Sequence, residues 1–312
     1  MCKLSRSRAI LVRHPLVRVK SSGAIVIALL TASGCFGGGE SNGDGSNSPP
    51  PPPPPPVSFV GGLWSGAMWW DPKDGFPGGA QNVRLLVAET GEFRMMLYPD
   101  VDQYFAADSE QIYGTFNMDG RDITTVGDAL WVAAVTGAGD EWAFFGLAGD
   151  YLAGESISGT FQAIWTGWSH MNERVGTFSL NYHSLYEHPS SLAILQGTYA
   201  TTTDSLTIDA QGAIFYQSSV TGCTGNGNAE VIDSAYNMYR VTMDVESCSG
   251  DEAVRNGLTF TGLANVGQNN DLSGAFLNDT LEMAVTAPRD LHFGPDVIAQ
   301  GYVPWSLLAH KQ

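Results

Sequence analysis

The sequence predicts an all-β protein, two tandem small antiparallel up-and-down β-barrels behind a proline-rich linker. Three observations predict it. Short stretches alternate between apolar and polar residues, as strands do when one face is buried and the other wet. Glycine-bearing turns separate neighbouring stretches, and 37 glycines, 16 prolines and only 15% charged residues among 312 suit that plan. The two halves of the folded region also echo one another.

Alternation is clearest late in the chain. Tyr239, Val241, Met243 and Val245 alternate with Arg240, Thr242, Asp244 and Glu246. Leu206 and Ile208 alternate with Thr207 and Asp209, and Leu281, Met283 and Val285 share a side. Earlier, Phe93, Met95 and Leu97 alternate with Arg94, Met96 and Tyr98. Glu89-Thr90-Gly91-Glu92 and Asp209-Ala210-Gln211-Gly212 read as hairpin turns between such runs. No segment carries a sustained helical period.

The echo is ordered. Phe144-Phe145-Gly146-Leu147-Ala148 matches Phe260-Thr261-Gly262-Leu263-Ala264 at an offset of 116, and Ser158-Gly159-Thr160-Phe161 matches Ser273-Gly274-Ala275-Phe276 at 115. Gly91 and Gly212 differ by 121, and Gly62-Leu63-Trp64 pairs with Gly197-Thr198-Tyr199 at 135. Extra residues near Asp71 to Ala80 account for the larger offset at the start. Each copy offers about seven or eight short strands, enough to close a meander and hide its edges. The barrels are expected over 57–187 and 188–290, with 291–312 a tail packing across one of them. The triplets at Gly114, Gly159, Gly176 and Gly197, each Gly-Thr-aromatic, should bend a strand and plug the interior with a ring. Strands this short and turn-rich do not suggest a porin-like membrane barrel.

The N-terminal region reads differently. Six basic residues and no acidic one precede Cys35, and Ala24 to Ala32 is an apolar run of signal-peptide length, too short to span a bilayer. Ala32-Ser33-Gly34-Cys35 resembles the lipobox of bacterial lipoproteins, with Ala32 where that family commonly carries Leu and Leu30 two places earlier. The resemblance implies a signal peptide over 1–34, cleavage before Cys35 and lipidation of its sulfur. Phe36, rather than Asp, follows the cysteine, which by the same resemblance implies the outer membrane. An ordinary secretory signal, with Cys35 a spare thiol, is the alternative. Gly37 to Ser48 is polar and aperiodic, a flexible tether. Pro49 to Pro56 should form a stiff polyproline II rod of roughly 25 Å. The linker thus spans 35–56.

Beyond Cys35 the chain holds nine basic and 32 acidic residues. Nucleic acid and anionic lipid faces repel such a body. Solubility and an acidic docking face both account for the charge. Cys223 and Cys248 are the only cysteine pair in the folded region, and in an oxidising compartment they should form a disulfide that staples neighbouring strand ends.

Catalytic signatures are missing from the sequence. His170, His183, His188, His292 and His310 are scattered, and no G-x-S-x-G, SxxK, Rossmann or P-loop pattern stands in its proper setting. The Asp71 to Gly75 and Asn117 to Asp122 stretches read as turns rather than calcium loops. No metal or cofactor is expected. Tryptophan is the one asymmetry: seven of eight fall in the first copy. Large rings filling a core account for this, and so do rings stacked on a sugar or apolar ligand, with Trp64, Trp69, Trp70, Trp165 and Trp168 as the candidates.

The expectation is therefore a lipid-anchored, non-enzymatic envelope protein at the outer membrane, on its periplasmic or cell-surface face. Its partners would be the membrane, through the lipid, and an envelope protein or small ligand, and not nucleic acid. In outline it looks like surface lipoproteins of the transferrin-binding type, whose barrels dock another protein. The alternative is a lipocalin- or avidin-like carrier with its ligand in the first barrel, and a hydrolase of unrecognised type comes last.

Overall fold

The computed structural model describes residues 61–72, 78–98, 110–133, 141–166, 173–267, 279–292 and 298–312. Cys35, the leader and the proline run lie outside them. Strands β1 (Gly62–Trp70), β2 (Gly79–Val87), β3 (Glu92–Tyr98) and β4 (Glu110–Asp119) open the first barrel. It continues through β5 (Asp122–Ala133), β6 (Glu141–Leu152), β7 (Ser156–Thr166) and β8 (Arg174–Tyr182). Every pairing is antiparallel between sequence neighbours, and β8 returns to β1 from Trp64↔Tyr182 to Trp70↔Gly176.

The second barrel repeats the plan. Its strands are β9 (Gly197–Ala200), β10 (Asp204–Ile208), β11 (Ala213–Ser218) and β12 (Thr224–Val231), then β13 (Tyr239–Glu246), β14 (Leu258–Gly267), β15 (Thr280–His292) and β16 (Ile298–Lys311). Closure here is short: only His310↔Ala200 and Lys311↔Tyr199 join β16 to β9. A 3-10 turn, Ser184–Glu187, and one helical turn, Leu192–Leu195, link the barrels. The Ser191 hydroxyl caps the latter by accepting from the Ile194 amide at 3.2 Å.

The two-barrel, all-β architecture is as the sequence predicts, with one correction. The stretch 291–312, read as a separate tail, supplies the end of β15 and all of β16, so the second barrel runs to Lys311 rather than ending at residue 290. Pro304 breaks the strand signature in the sequence, yet it sits in register opposite Thr286. The alternation is blurred further because Ser306 is buried between Trp305 and Leu307: the outer side of β16 lies against β5 and β6 of the first barrel.

The internal repeat holds at the level of strands. Gly91 and Gly212 close the β2–β3 and β10–β11 turns with φ of 84° and 87°, a left-handed conformation that glycine adopts without strain. Trp64 and Tyr199, on the first strand of each barrel, are both fully buried. The β6 and β14 segments are likewise sixth in their barrels, but their residue match is out of phase. Phe145 points inward and Phe144 outward, whereas Phe260, aligned with Phe144, points inward. A one-residue slip reverses every face of a strand. Ser273 to Phe276 lie outside the described residues.

The glycine triplets place their rings as expected: Phe116, Phe161, Phe178 and Tyr199 are all core residues. On β7 and β8 the triplets are reciprocal, with Phe161 opposite Gly176 and Phe178 opposite Gly159. The Phe161 ring occupies space that a side chain at Gly176 would fill, and the Phe178 ring reaches the space of Gly149 on β6.

The two barrels belong to one compact unit and meet along their outer faces. Leu63, Leu86, Ala88 and Met96 of the first pack with Leu263 and Ala284 of the second, around Leu185 and Tyr186 of the connection. Polar groups are paired across this seam. Arg84 Nε donates to both carboxylate oxygens of Glu282 at 3.1 and 3.3 Å, and Asn265 adds a bond to Glu282 at 2.9 Å. Arg94, buried over the Tyr113 ring, donates to the Thr261 carbonyl at 3.2 Å and pairs with Glu92, which in turn holds Arg240 at 3.0 Å.

Candidate functional site

Adjacent tryptophans on a strand must face opposite sides, and β1 shows the consequence. Trp69 points outward and is 44% exposed, while Trp70 packs partly into the barrel against Phe161, ring centroids 4.6 Å apart. The Trp70 indole donates to Gln81 Oε1 at 3.3 Å, and the Arg174 guanidinium stands over its ring. Trp64 is fully buried, edge-on to Tyr182 at 4.9 Å and to Tyr151 at 5.7 Å. Trp165 belongs to β7, paired with Ala143, and Trp168 lies outside the described residues.

Trp64 does not converge with Trp70. Trp64 and Trp70 stand six residues apart on one strand, about 20 Å at the rise of an extended chain. The described side chains around Trp64 are closely packed. Trp64, Met68, Phe93, Met95, Phe145 and Phe178 are each at most 2% exposed, so no water-sized space lies beside them. Among the described residues of the second barrel, Tyr199, Tyr239, Met243, Phe260 and Val285 are packed in the same way.

A concave site does form at the seam. Five chain segments build it: Gly61 ahead of β1, Glu89 in the β2–β3 turn, Tyr151 to Gly154 at the β6–β7 turn, Tyr182 to Glu187 after β8, and Asp233 with Tyr236 between β12 and β13. The cleft has a volume of about 440 Å³, within the range of small-ligand sites. Four of its walls are tyrosines and three of its lining residues are acidic; among the described residues no lysine or arginine lines it.

Local structure fixes these side chains. Tyr186 rides on the 3-10 turn that begins at His183, whose Nδ1 accepts from the Leu185 amide at 3.2 Å. Its carbonyl accepts from the Asn237 amide at 2.9 Å, which brings the Asp233–Tyr236 turn of the second barrel alongside. The Tyr186 and Tyr236 rings then stack, centroids 4.8 Å apart and planes within 11°. The Tyr186 hydroxyl donates to Glu89 Oε1. Gly61 makes this possible: a Cβ there would stand 1.7 Å from that hydroxyl oxygen.

Two polar atoms of the cleft are left over. Glu89 Oε2 is buried without a hydrogen-bond partner. So is the hydroxyl of Tyr151, a residue only 5% exposed; the Gly154 amide lies near it but forms no bond of proper length and angle. Burial pushes the Tyr151, Tyr182 and Tyr186 phenols above their ordinary range, and the Glu187 carboxylate beside Tyr182 and Glu89 beside Tyr186 push in the same direction. The phenols therefore stay protonated and neutral at physiological pH. Among the described residues no group of three His, Cys, Asp or Glu is placed to hold a metal ion.

The sequence offers no marker for this cleft. Its tyrosines share no spacing: Tyr151 and Tyr182 meet through the closure of the first barrel, around Trp64, and the packing of the second barrel brings Tyr236 to them. No family model, curated protein or solved structure matches the chain.

Proposed function

We propose that this chain is a lipid-anchored protein of the cell envelope, exported and held at the outer membrane through Cys35. It works without catalysis, by binding through the outer surface of its joined barrels. The leader and its Cys35 support the anchor, and the strongly acidic body behind them suits a domain held off an anionic lipid surface. The observation that carries the binding part is the close packing of the described interior side chains in both barrels. A carrier of the lipocalin or avidin kind needs room inside, and the described interior of the first barrel has none beside its largest side chains. That packing favours recognition on outer faces, turns and the seam.

Membrane fractionation tests the anchor. The wild-type chain should sediment with outer membranes and enter the detergent phase, and Cys35→Ser should leave it in the soluble fraction. Equal membrane association of both forms would remove the anchor. Trp fluorescence titrated with apolar or sugar ligands should stay flat; a saturable shift abolished by Trp64→Phe would restore the carrier reading.

A further inference from the structure

We propose that the tyrosine cleft at the seam binds an organic cation bearing N–H groups, a primary ammonium or a guanidinium with an apolar stem. The proposal rests on reading the protein as a binder and is independent of the lipid anchor. Three features of the cleft converge on that chemistry. Tyr151, Tyr182, Tyr186 and Tyr236 surround the space with aromatic rings, whose faces attract cations. Glu89, Glu187 and Asp233 bring negative charge to the lining, with no lysine or arginine among the lining residues to offset it. Glu89 Oε2 is a buried acceptor lacking a donor, and the Tyr151 hydroxyl is buried without a hydrogen-bond partner.

The third feature selects among cations. A buried acceptor without a donor costs free energy that a ligand N–H recovers. A quaternary ammonium has none to give and would use the rings alone. The ammonium or guanidinium head is therefore placed against Glu89 and Tyr151, with its stem along the stacked Tyr186–Tyr236 pair. An anion meets three carboxylates here and is excluded. The acidity of the whole body raises the local concentration of cations and strengthens the preference at low salt.

The test is calorimetric titration of the full oxidised chain, purified in detergent. The probes are n-butylammonium, methylguanidinium, tetramethylammonium, butyrate and an acetylated lysine-containing peptide. Saturable binding of n-butylammonium or methylguanidinium is expected, weaker for tetramethylammonium, absent for butyrate, and reduced in 0.5 M salt on the order of the Debye screening there. Tighter binding of the peptide than of n-butylammonium assigns the cation to a protein partner, and the reverse assigns it to a free amine. Glu89→Gln should weaken binding about tenfold. Tyr236→Ala should weaken it about threefold, while the protein still unfolds cooperatively with only a modest drop in thermal stability from the lost Tyr186 stack. Three outcomes overturn the proposal: no saturable binding of either N–H cation, equal affinity for tetramethylammonium, or affinities unchanged in both variants. Failure here leaves the anchor standing, because fractionation reads that separately.

Discussion

Phe161 on β7 lies directly opposite Gly176 on β8, and its ring reaches to 2.6 Å from the point a Gly176 Cβ would occupy. The same point is 2.1 Å from the Trp69 carbonyl oxygen, a backbone atom of β1 that cannot swing aside. Gly176→Ala should therefore destabilise the first barrel by about 1–3 kcal/mol through overpacking. Urea unfolding followed by tryptophan emission reads the shift. An unchanged midpoint would show that β1 and β8 have slack here.

The seam makes a second prediction. Arg94 is 6% exposed and ties the barrels together through the Thr261 carbonyl and through Glu92 to Arg240. Arg94→Met fills the space but leaves that carbonyl and one carboxylate oxygen without their donor, at about 2–3 kcal/mol. The barrels should then unfold in two calorimetric steps where the wild type unfolds in one. A single step at the wild-type temperature would mean that the seam contributes little.

How much of this was legible depends on which face of a strand was asked about. Residues 239–246 show inward burial at every alternate position, as their alternation foretells, because the code for a core face is local. In β3 and β15 the pattern misleads. Arg94, Met96, Glu282 and Ala284 occupy the outward positions, yet all are buried, since those faces meet the other barrel. Nothing local distinguishes water from a second domain. The tryptophan excess drew attention to Trp64, which proved to be core. The tyrosine cleft stayed invisible because the seam that assembles it was.

The Cys223–Cys248 disulfide joins the chain just before β12 to the chain just after β13, where Thr224 pairs with Glu246. Its sequence separation is 25 residues, and closing a loop of that size stabilises the fold by about 3 kcal/mol on the chain-entropy account. Cys223→Ser should lower the melting temperature of oxidised protein and leave that of reduced protein nearly unchanged. An equal loss under both conditions would trace the effect to packing instead.

Asp204 gives the fold an acid limit. Burial alone would raise its pKa, but hydrogen bonds from Thr203, Tyr216, Ser218 and Thr201 outweigh it and hold the carboxyl below its ordinary range. The Tyr216 and Thr203 hydroxyls donate at 2.7 and 2.6 Å. A carboxyl depressed in the folded state adds stability above its unfolded pKa of about 3.9, and that stability is lost as pH falls through the lower folded value. Asp204 is only half-buried, so solvent screens part of this, and Asp204→Asn should cost about 1 kcal/mol at pH 7. The gap to wild type should close as the medium is taken below the ordinary carboxylate range. A gap that stays constant on acidification would contradict the role given to the charge.

The proposed lipid anchor bears most directly on what this protein does, and mass spectrometry of its N-terminal peptide after expression in a bacterium with an outer membrane tests it. The account predicts a peptide beginning at Cys35 and carrying diacylglycerol on its sulfur. A peptide beginning elsewhere, or a Cys35 with a free thiol, would contradict it.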